Sequence, residues 1–353
     1  MALTARGRVL ASLVTTTAVI ATITFLLVVG GRAGIGPLAN ALTEDNLGAG
    51  GPPVGVPPTI CPLTGIDPNG EVPNRPALAV KVENLPTARP QTGLSWADIV
   101  YEQPVEVGIT RFIAVYQCSD ASLIEPIRSA RLTDADILRQ FGEPLLGYSG
   151  AVPRVVQALR DAGVVDLSDS VVPRAYHRDP EREKPHDLYS STQELYAVAD
   201  SSTGAPRPLF EYSQEAPPGG RSVSEIAIPF SSYSDVSWRW SPAERAWIRY
   251  DGGEPHLLSD DSPISAKNVL VQVVKIVPSG ILDVNGAPSP TAVSTGKGRA
   301  YVLRGGRAIE GTWSRPGLGD VTVFRDLQGR SIPLAPGNTW IELVPDDVTI
   351  TLG

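Results

Sequence analysis

The stretch RPQTGLSWADIVYEQPVEVGITRF, from Arg89 to Phe112, decides the fold because it contains one complete strand and the beginning of another. ADIVYEQPVE and the following GITRFIAVYQC both alternate as strands do, with Gly108 in the turn region, and so predict an antiparallel pair. Upstream, ALAVKVE (Ala77 to Glu83) predicts another strand. The opening stretch also contains two glutamates, two arginines and an aspartate, where a strand ordinarily buries apolar residues.

Helical patterns follow these strands. TDADILRQF begins with Thr133 as a possible N-cap, and PRVVQALRDAG has Pro153 early and Gly163 at its end. SSTQELYAVAD has Ser190 or Ser191 as its cap. Residues 61–205 are therefore predicted to form a mixed α/β N-terminal domain.

The Pro/Gly-rich segment 201–220 is the best candidate for a domain boundary. Beyond it the chain shows short β-type runs, and the pairs Gly305-Gly306 and Gln328-Gly329 are placed as hairpin turns. Residues 206–353 therefore predict a mainly β C-terminal domain, and the fold class is α+β.

The N-terminus carries a membrane signal. Residues 9–29 are uncharged, follow Arg6 and Arg8, and are long enough to span a bilayer as a helix. An uncleaved anchor within residues 1–30 is favoured over a cleaved signal peptide, and residues 31–60 predict a flexible Pro/Gly linker. The expected location is the cell membrane, with one pass and the folded domains outside the cytoplasm.

Charge and cysteine content narrow the function. The net charge of -8 gives no basic footprint for nucleic acid. Cys61 and Cys118 are the only cysteines, and in an oxidising compartment they predict one disulfide, with two free buried thiols as the alternative. No cofactor is expected.

Glu102 and Glu106 would lie on the same face of a continuous strand, about 13 to 14 Å apart. That separation is too long for the carboxyl pair of a glycosidase, which needs roughly 5 to 10 Å, unless the chain bends at Pro104. Pairing of one glutamate with Arg111 is therefore favoured over catalysis.

A second group of charges lies in IRSARLTDAD, where Arg128 and Arg131 flank Ser129 ahead of a predicted helix. Two guanidinium groups near a helix start could bind a carboxylate or phosphate. The alternative is that they pair with Glu102, Glu106 or Asp134.

The loop YHRDPEREKPHDLY offers two more possibilities. Its metal-ligating types are His177, Asp179, His186 and Asp187, but a compact metal site would require the loop to fold back, so none is predicted. His186 could act as a general acid or base, although a loop histidine that hydrogen-bonds the backbone is favoured. Ser149 matches a nucleophile motif only weakly, and tryptophans on strands are expected in the core rather than against sugars.

The segments CPLTG, RPALAVKVENLPTARPQTGLSWADIVYEQPVEVGITRFIAVYQ, EPIRSARL, KPHDLYSS and GKGRAYVLRGGRAIEGTWSR resemble the YerB-like family of bacterial proteins described as lipoproteins. The resemblance covers about residues 61–353 and implies N- and C-terminal domains of unknown function. It also implies a main cleft formed by these positions: Asn84, Arg89, Glu102, Glu106, Arg111, Arg128, Ser129, Arg131 and His186. A lipidated cysteine is missing behind the apolar run, so an anchor helix would replace the lipid.

Two hypotheses remain open. The first is a tethered protein that binds or scaffolds an anionic cell-envelope component or an envelope protein, with Arg111, Arg128, Ser129, Arg131, Asn84 and Arg89 as ligand-binding candidates. The second is a hydrolase or transferase acting on cell-wall polymer, with Glu102, Glu106 and His186 as catalytic candidates. Binding is favoured because no nucleophile and base have a spacing specific to one reaction.

Overall fold

Strands far outnumber helices in the computed structural model, which describes residues 59–200, 203–283 and 285–353. The predicted anchor at 1–30 and the linker up to residue 58 lie outside these ranges. None of the helices within them is long and apolar enough to cross a membrane.

The first part of the described chain contains both strands and helices. Its strands are β1 (Leu78–Glu83), β2 (Ile99–Pro104), β3 (Thr110–Tyr116), β4 (Leu145–Gly147), β5 (Val165–Asp166), β6 (His177–Arg178) and β7 (Leu188–Tyr189). Its helices are α1 (Leu132–Leu138), α2 (Pro153–Asp161) and α3 (Thr192–Val198). The same part also contains the 3-10 turns Pro86–Ala88, Leu94–Trp96, Glu106–Gly108, Arg139–Phe141 and Pro173–Ala175.

The described residues from 203 onward form strands and no helices. These are β8 (Arg221–Ser222), β9 (Glu225–Ser231), β10 (Ser234–Ser241), β11 (Ala246–Asp251), β12 (Glu254–Pro255), β13 (Ser265–Ala266) and β14 (Asn268–Val274). They are followed by β15 (Ile276–Leu282), β16 (Pro288–Ala292), β17 (Gly296–Arg304), β18 (Arg307–Arg315), β19 (Val323–Asp326), β20 (Thr339–Pro345) and β21 (Thr351–Leu352).

One sheet joins both parts of the chain. Its order is β19-β18-β17-β14-β20-β2-β3-β1-β4-β5, with β8 beside β18. The antiparallel pair predicted from the opening stretch is confirmed as β2 and β3, with Ile99 opposite Val115. Next to it, β2 pairs in parallel with β20, so that Glu102 is in register with Glu342. The predicted domains 61–205 and 206–353 therefore contribute to a common sheet.

Each face of this sheet carries its own hydrophobic core. On one face, Val80, Val100 and Phe112 pack with the tryptophans of a second sheet of order β12-β11-β10-β9-β21, with β13 beside β11. On the other face, Tyr101 and Ile113 pack with helices α1 and α2. Because side chains alternate along a strand, neighbouring residues of β1, β2 and β3 enter different cores.

Local signals explain the ends of the helices. Ser191 caps α3 by accepting a hydrogen bond from the backbone N–H of Glu194 at 3.1 Å, and Pro153 occupies the first turn of α2. Thr133 does not cap α1, because that helix begins at Leu132. Its hydroxyl instead accepts a hydrogen bond from the backbone N–H of Ala292 at 3.0 Å.

Cys61 and Cys118 form the predicted disulfide, with Cα atoms 6.0 Å apart. The bond ties the start of the described chain to the residues that follow β3. A cross-link that closes a loop of this length removes conformational entropy from the unfolded chain, worth about 4 kcal/mol in the entropic account.

Candidate functional site

The charges of the opening stretch separate onto the two faces of the large sheet. Strand β2 ends at Pro104, and Glu106 belongs to the 3-10 turn that follows, so the continuous strand that would align Glu102 with Glu106 does not form. Glu102 lies on the face covered by the second sheet, in contact with Arg249 of β11. Glu106 contacts Arg131, just before α1. The two glutamates thus serve separate networks.

Glu102 is the centre of a buried network. Arg249 donates to its two carboxylate oxygens over 2.8 to 3.1 Å, and both side chains are fully buried. The hydroxyl of Thr110 donates to the same carboxylate at 2.6 Å, and the amide of Asn84 also points to it. A carboxylate enclosed by so many donors is a structural ion pair, since no face of it is left for substrate.

Two candidate ligand-binding residues belong to this network rather than to a cleft. Arg89 donates to Oδ1 of Asn84 at 3.2 Å and to Asp251 at 2.7 Å. Asn84 itself is almost completely buried. Arg89 therefore links Asn84, which follows β1, to Asp251 of the second sheet.

His256 completes the network as a neutral imidazole. Its Nδ1 accepts a hydrogen bond from Arg249, since a guanidinium can only donate, and its Nε2 donates to Gln91 at 2.8 Å. Burial, together with the positive charges of Arg249 and Arg89, holds the pKa of His256 well below its usual value. The ring is thus fixed in one tautomer.

Glu342 adds a second carboxyl group beside Glu102. Trp238 donates to its Oε1 at 2.7 Å, whereas its Oε2 is buried without a hydrogen-bond partner among the described residues. Burial and the adjacent charge of Glu102 raise the pKa of Glu342 well above its usual value. The same two causes favour the protonated form of Glu342.

On the opposite face the chain forms a pocket of about 450 Å³. The predicted ligand-binding residues Arg111, Arg128, Ser129 and Arg131 all line it, as does Glu106. Other walls come from the start of α2 and from the β15–β16 hairpin. Sequence reasoning did not anticipate that this hairpin, from the C-terminal part of the chain, would cover residues of the N-terminal part.

Arg131 is occupied by Glu106. Its Nε and Nη2 donate to the two carboxylate oxygens at 2.6 and 2.7 Å, in a bidentate pair. Burial would raise the pKa of Glu106, but the hydrogen bonds and charge of Arg131 outweigh it and lower that pKa to about 2. Glu106 is therefore a permanent anion near neutral pH.

Arg128 and His186 share a second carboxylate. Glu83 accepts a hydrogen bond from Nε of Arg128 at 3.0 Å on one oxygen, and its other oxygen lies 2.7 Å from Nδ1 of His186. Glu83 is buried, whereas the Arg128 side chain is 25% exposed. Glu83 was not singled out from the sequence, although it is the second charge in the strand pattern ALAVKVE.

Arg111 differs from the other two arginines because no carboxylate pairs with it within 4 Å among the described residues. It is 6% exposed, donates to the backbone oxygen of Ser129 at 3.2 Å, and keeps a buried Nε without a partner in the same part of the chain. Burial and the nearby charge of Arg131 lower its pKa to about 10, so it remains charged at neutral pH.

A buried ion pair lies beneath the arginines of the pocket. Lys81 contacts Asp134 at 2.7 Å, both side chains are fully buried, and Gln103 donates to the same oxygen at 2.6 Å. Burial lowers the pKa of Lys81 to about 8, with Asp134 opposing that shift. Asp134 also accepts the backbone N–H of Arg131 at 2.7 Å, which fixes the residue that precedes α1.

The remaining sequence candidates have separate partners. His177 contacts Glu194, Asp187 contacts Arg178, and Ser149 donates to Asp169 rather than to a histidine. No group of three or more His, Cys, Asp or Glu residues is placed to hold a metal ion within 59–200, 203–283 and 285–353. Trp238, Trp247, Trp313 and Trp340 lie in the cores, as tryptophans on strands were predicted to do.

The residues that sequence reasoning missed are charged residues within distant strands. Arg249 stands in AWIRY and Glu342 in TWIELVP, each the single charge in an apolar run. That isolation is a usable signal, because a lone charge in a buried strand needs a partner. It does not identify the partner, which comes from another sheet.

The fold defines a β-rich protein in which two sheets enclose a buried charge network and a pocket lies on the outer face. Residues 63–205 match the family model described as "Protein of unknown function (DUF3048) N-terminal domain", and residues 226–341 match that of the C-terminal domain. The chain belongs to the YerB-like family.

Two comparisons with individual proteins agree with this membership. "Putative lipoprotein YerB" of Bacillus subtilis (strain 168) is 29% identical over 299 residues, which cover 81% of this chain and 86% of that protein. The crystal structure of YerB protein from Bacillus subtilis has a TM-score of 0.71 and 24% identity, and covers 83% of this chain and 99% of that one. The latter likeness concerns the fold.

Proposed function

We propose that this protein is a membrane-associated, extracytoplasmic binding or scaffolding protein whose pocket holds an anionic group of a cell-envelope component. The apolar run at 9–29 supports association with a membrane, as does the name of the Bacillus subtilis relative, which describes a lipoprotein. The chemistry of the pocket supports an anionic ligand.

The observation that carries this proposal is the unpaired guanidinium of Arg111. Arg131 is neutralised by Glu106 and Arg128 by Glu83, whereas Arg111 forms no ion pair with a carboxylate in the part of the chain that the structure describes. A cation held in a buried place without a counter-ion is costly, and a bound oxyanion would remove that cost.

The surrounding groups are suited to complete the coordination of an oxyanion. Nε of Arg128 is the atom that contacts Glu83, so its outer amino groups are what a ligand would meet. Ser129, also in the pocket wall, offers a hydroxyl group. Asp283, the other carboxylate of the wall, accepts backbone N–H groups of Asn285 and Ala287 and so has a role within the hairpin.

The alternative activity, hydrolysis or transfer on cell-wall polymer, gains no support from these contacts. Glu102 is enclosed by donors, and Glu106 has a pKa of about 2, which is unsuited to a general acid. His186 contacts Glu83 rather than either candidate glutamate.

The test uses the full-length protein in phosphatidylcholine nanodiscs, with inorganic phosphate as the probe and purified sacculi in a parallel sedimentation assay. We expect phosphate to raise Tm in the wild type, and the sacculi to sediment the protein. Arg111→Gln and Arg128→Gln should each reduce the rise in Tm and the sedimented fraction at least fivefold. Arg160→Gln is the matched control, because Arg160 is an exposed arginine on α2 outside the pocket. Unchanged binding in both pocket variants, each with wild-type circular dichroism, would overturn the proposal.

A further inference from the structure

The pocket has two walls of opposite character. One is the polar wall of Arg111, Arg128 and Ser129, and the other is formed by apolar side chains, among them Val107, Val155 and Leu282. A site for a free inorganic anion would need only the first wall. The second wall therefore indicates a ligand that also has an apolar part.

Two of the apolar residues are unusually exposed. Val107 is 67% exposed and Leu282 is 59% exposed, although each is a large hydrophobic residue. They come from distant parts of the chain and both line the same pocket. Exposed apolar residues that gather at a concave site mark a contact with an apolar group.

The backbone conformation of Val107 supports a role for its exposed side chain in ligand contact. It has φ 53° and ψ 26°, the left-handed region that a β-branched residue adopts only at a cost. Glycine would adopt this conformation without strain, and Gly108 follows it directly. The turn thus places a β-branched apolar side chain on the pocket wall at a cost in backbone strain.

The wall that carries Leu282 is firmly attached. Arg154 of α2 donates to the backbone oxygen of Ser279 at 3.0 Å, and Ala292 at the other end of the hairpin donates to Thr133 at 3.0 Å. Ser289 also hydrogen-bonds Glu106. Three hydrogen bonds thus fix the β15–β16 hairpin in place as one wall of the pocket.

We infer that the pocket takes an amphiphile, an oxyanion joined to a hydrocarbon chain, with the oxyanion at Arg111 and the chain along Val107 and Leu282. This inference rests on the proposed anion site and adds the apolar half of the ligand. A lipid of the membrane and a soluble acyl or alkyl anion share this chemistry.

The experiment compares hexyl phosphate, inorganic phosphate and hexanol by calorimetry, on full-length protein in phosphatidylcholine nanodiscs with empty nanodiscs as the blank. We expect hexyl phosphate to bind at least tenfold more tightly than inorganic phosphate, since each buried methylene adds affinity. The double variant Val107→Thr with Leu282→Asn should reduce that ratio at least threefold. Val277→Thr, on an exposed residue of β15 outside the pocket wall, is the matched control.

The outcomes separate the two proposals. If neither phosphate binds, or if Arg111→Gln and Arg128→Gln change nothing, the anion site itself is wrong. If both phosphates bind equally, or the ratio survives the double variant, the anion site stands and the amphiphile is overturned. Vesicles of phosphatidylcholine containing phosphatidic acid then identify the source, because they displace hexyl phosphate if the ligand is a lipid and fail to displace it if the ligand is soluble.

Discussion

Arg249 donates three hydrogen bonds to Glu102, from one sheet to the other, with both side chains fully buried. Glu102 belongs to the central strand β2, and Arg249 to β11 of the covering sheet. Glu102, a catalytic candidate from the sequence, therefore joins the two sheets of the protein.

Glu102→Gln should destabilise the protein rather than abolish an activity. Removal of one partner leaves a buried charge uncompensated, which costs about 3 to 5 kcal/mol. Chemical denaturation of the variant measures this loss. Glu225→Gln is the control, because the Glu225–Arg239 pair is exposed and its loss should cost less than about 1 kcal/mol. Equal effects of the two substitutions would contradict the assigned role of Glu102.

His256 should make the stability fall as the solution is acidified. Its folded-state pKa lies below the unfolded value near 6.5, so the unfolded chain binds the extra proton and stability is lost as pH falls below 6.5. The slope from one such proton approaches about 1.4 kcal/mol per pH unit. Arg249, Arg89, Gln91 and the Phe112 ring face this imidazole.

Denaturation curves between pH 7 and pH 5 measure this slope, and His256→Gln should flatten it. Glu342 gives the pH dependence of stability the opposite sign. Its raised pKa makes the folded state bind more protons than the unfolded state, so stability is lost as the pH rises above the usual pKa of a glutamate. If His256→Gln kept the slope of the wild type, His256 would be excluded as the source of the acid sensitivity.

Glu106→Gln should tighten anion binding severalfold. The substitution removes the carboxylate that neutralises Arg131 and so leaves a second unpaired guanidinium in the pocket. Titration with inorganic phosphate measures this gain. If Glu106 were instead a catalytic acid, the wild type would release muropeptides from purified sacculi, detected by mass spectrometry, and the variant would not.

Val107→Gly should raise the free energy of unfolding by about 1 kcal/mol, because glycine adopts the left-handed conformation without strain. The same variant should lose part of its preference for hexyl phosphate. Val277→Gly is the comparison, since that residue is exposed in β15 without a positive φ, and it should not stabilise the protein. A Val107→Gly protein no more stable than the wild type would argue against strain at this turn.

Removal of the disulfide should cost about 2 to 4 kcal/mol. Chemical denaturation of the double variant Cys61→Ser with Cys118→Ser measures the loss, and wild-type protein under a reducing agent should match it. The variant should be insensitive to the same reagent. A wild type unaffected by full reduction would show that the cross-link adds nothing to stability.

Local features of this fold could be predicted from sequence, whereas its long-range contacts could not. The β2–β3 pair, the cap at Ser191 and the disulfide follow from alternation, capping chemistry and cysteine count. The separation of Glu102 from Glu106 depends on where β2 ends, which alternation alone does not specify. The partners Arg249 and Glu342 come from remote strands, and residue types do not encode which strand lies opposite.

The pairing of β2 with β20 also has a consequence for the order of events as the chain is synthesised. β2 emerges early, but the strand that satisfies its outer edge lies near the C-terminus. Until then the nascent first half presents an open edge that can pair with another chain. Release of the first half alone, by a premature stop or by proteolysis near residue 205, should yield a fragment that aggregates rather than a working module.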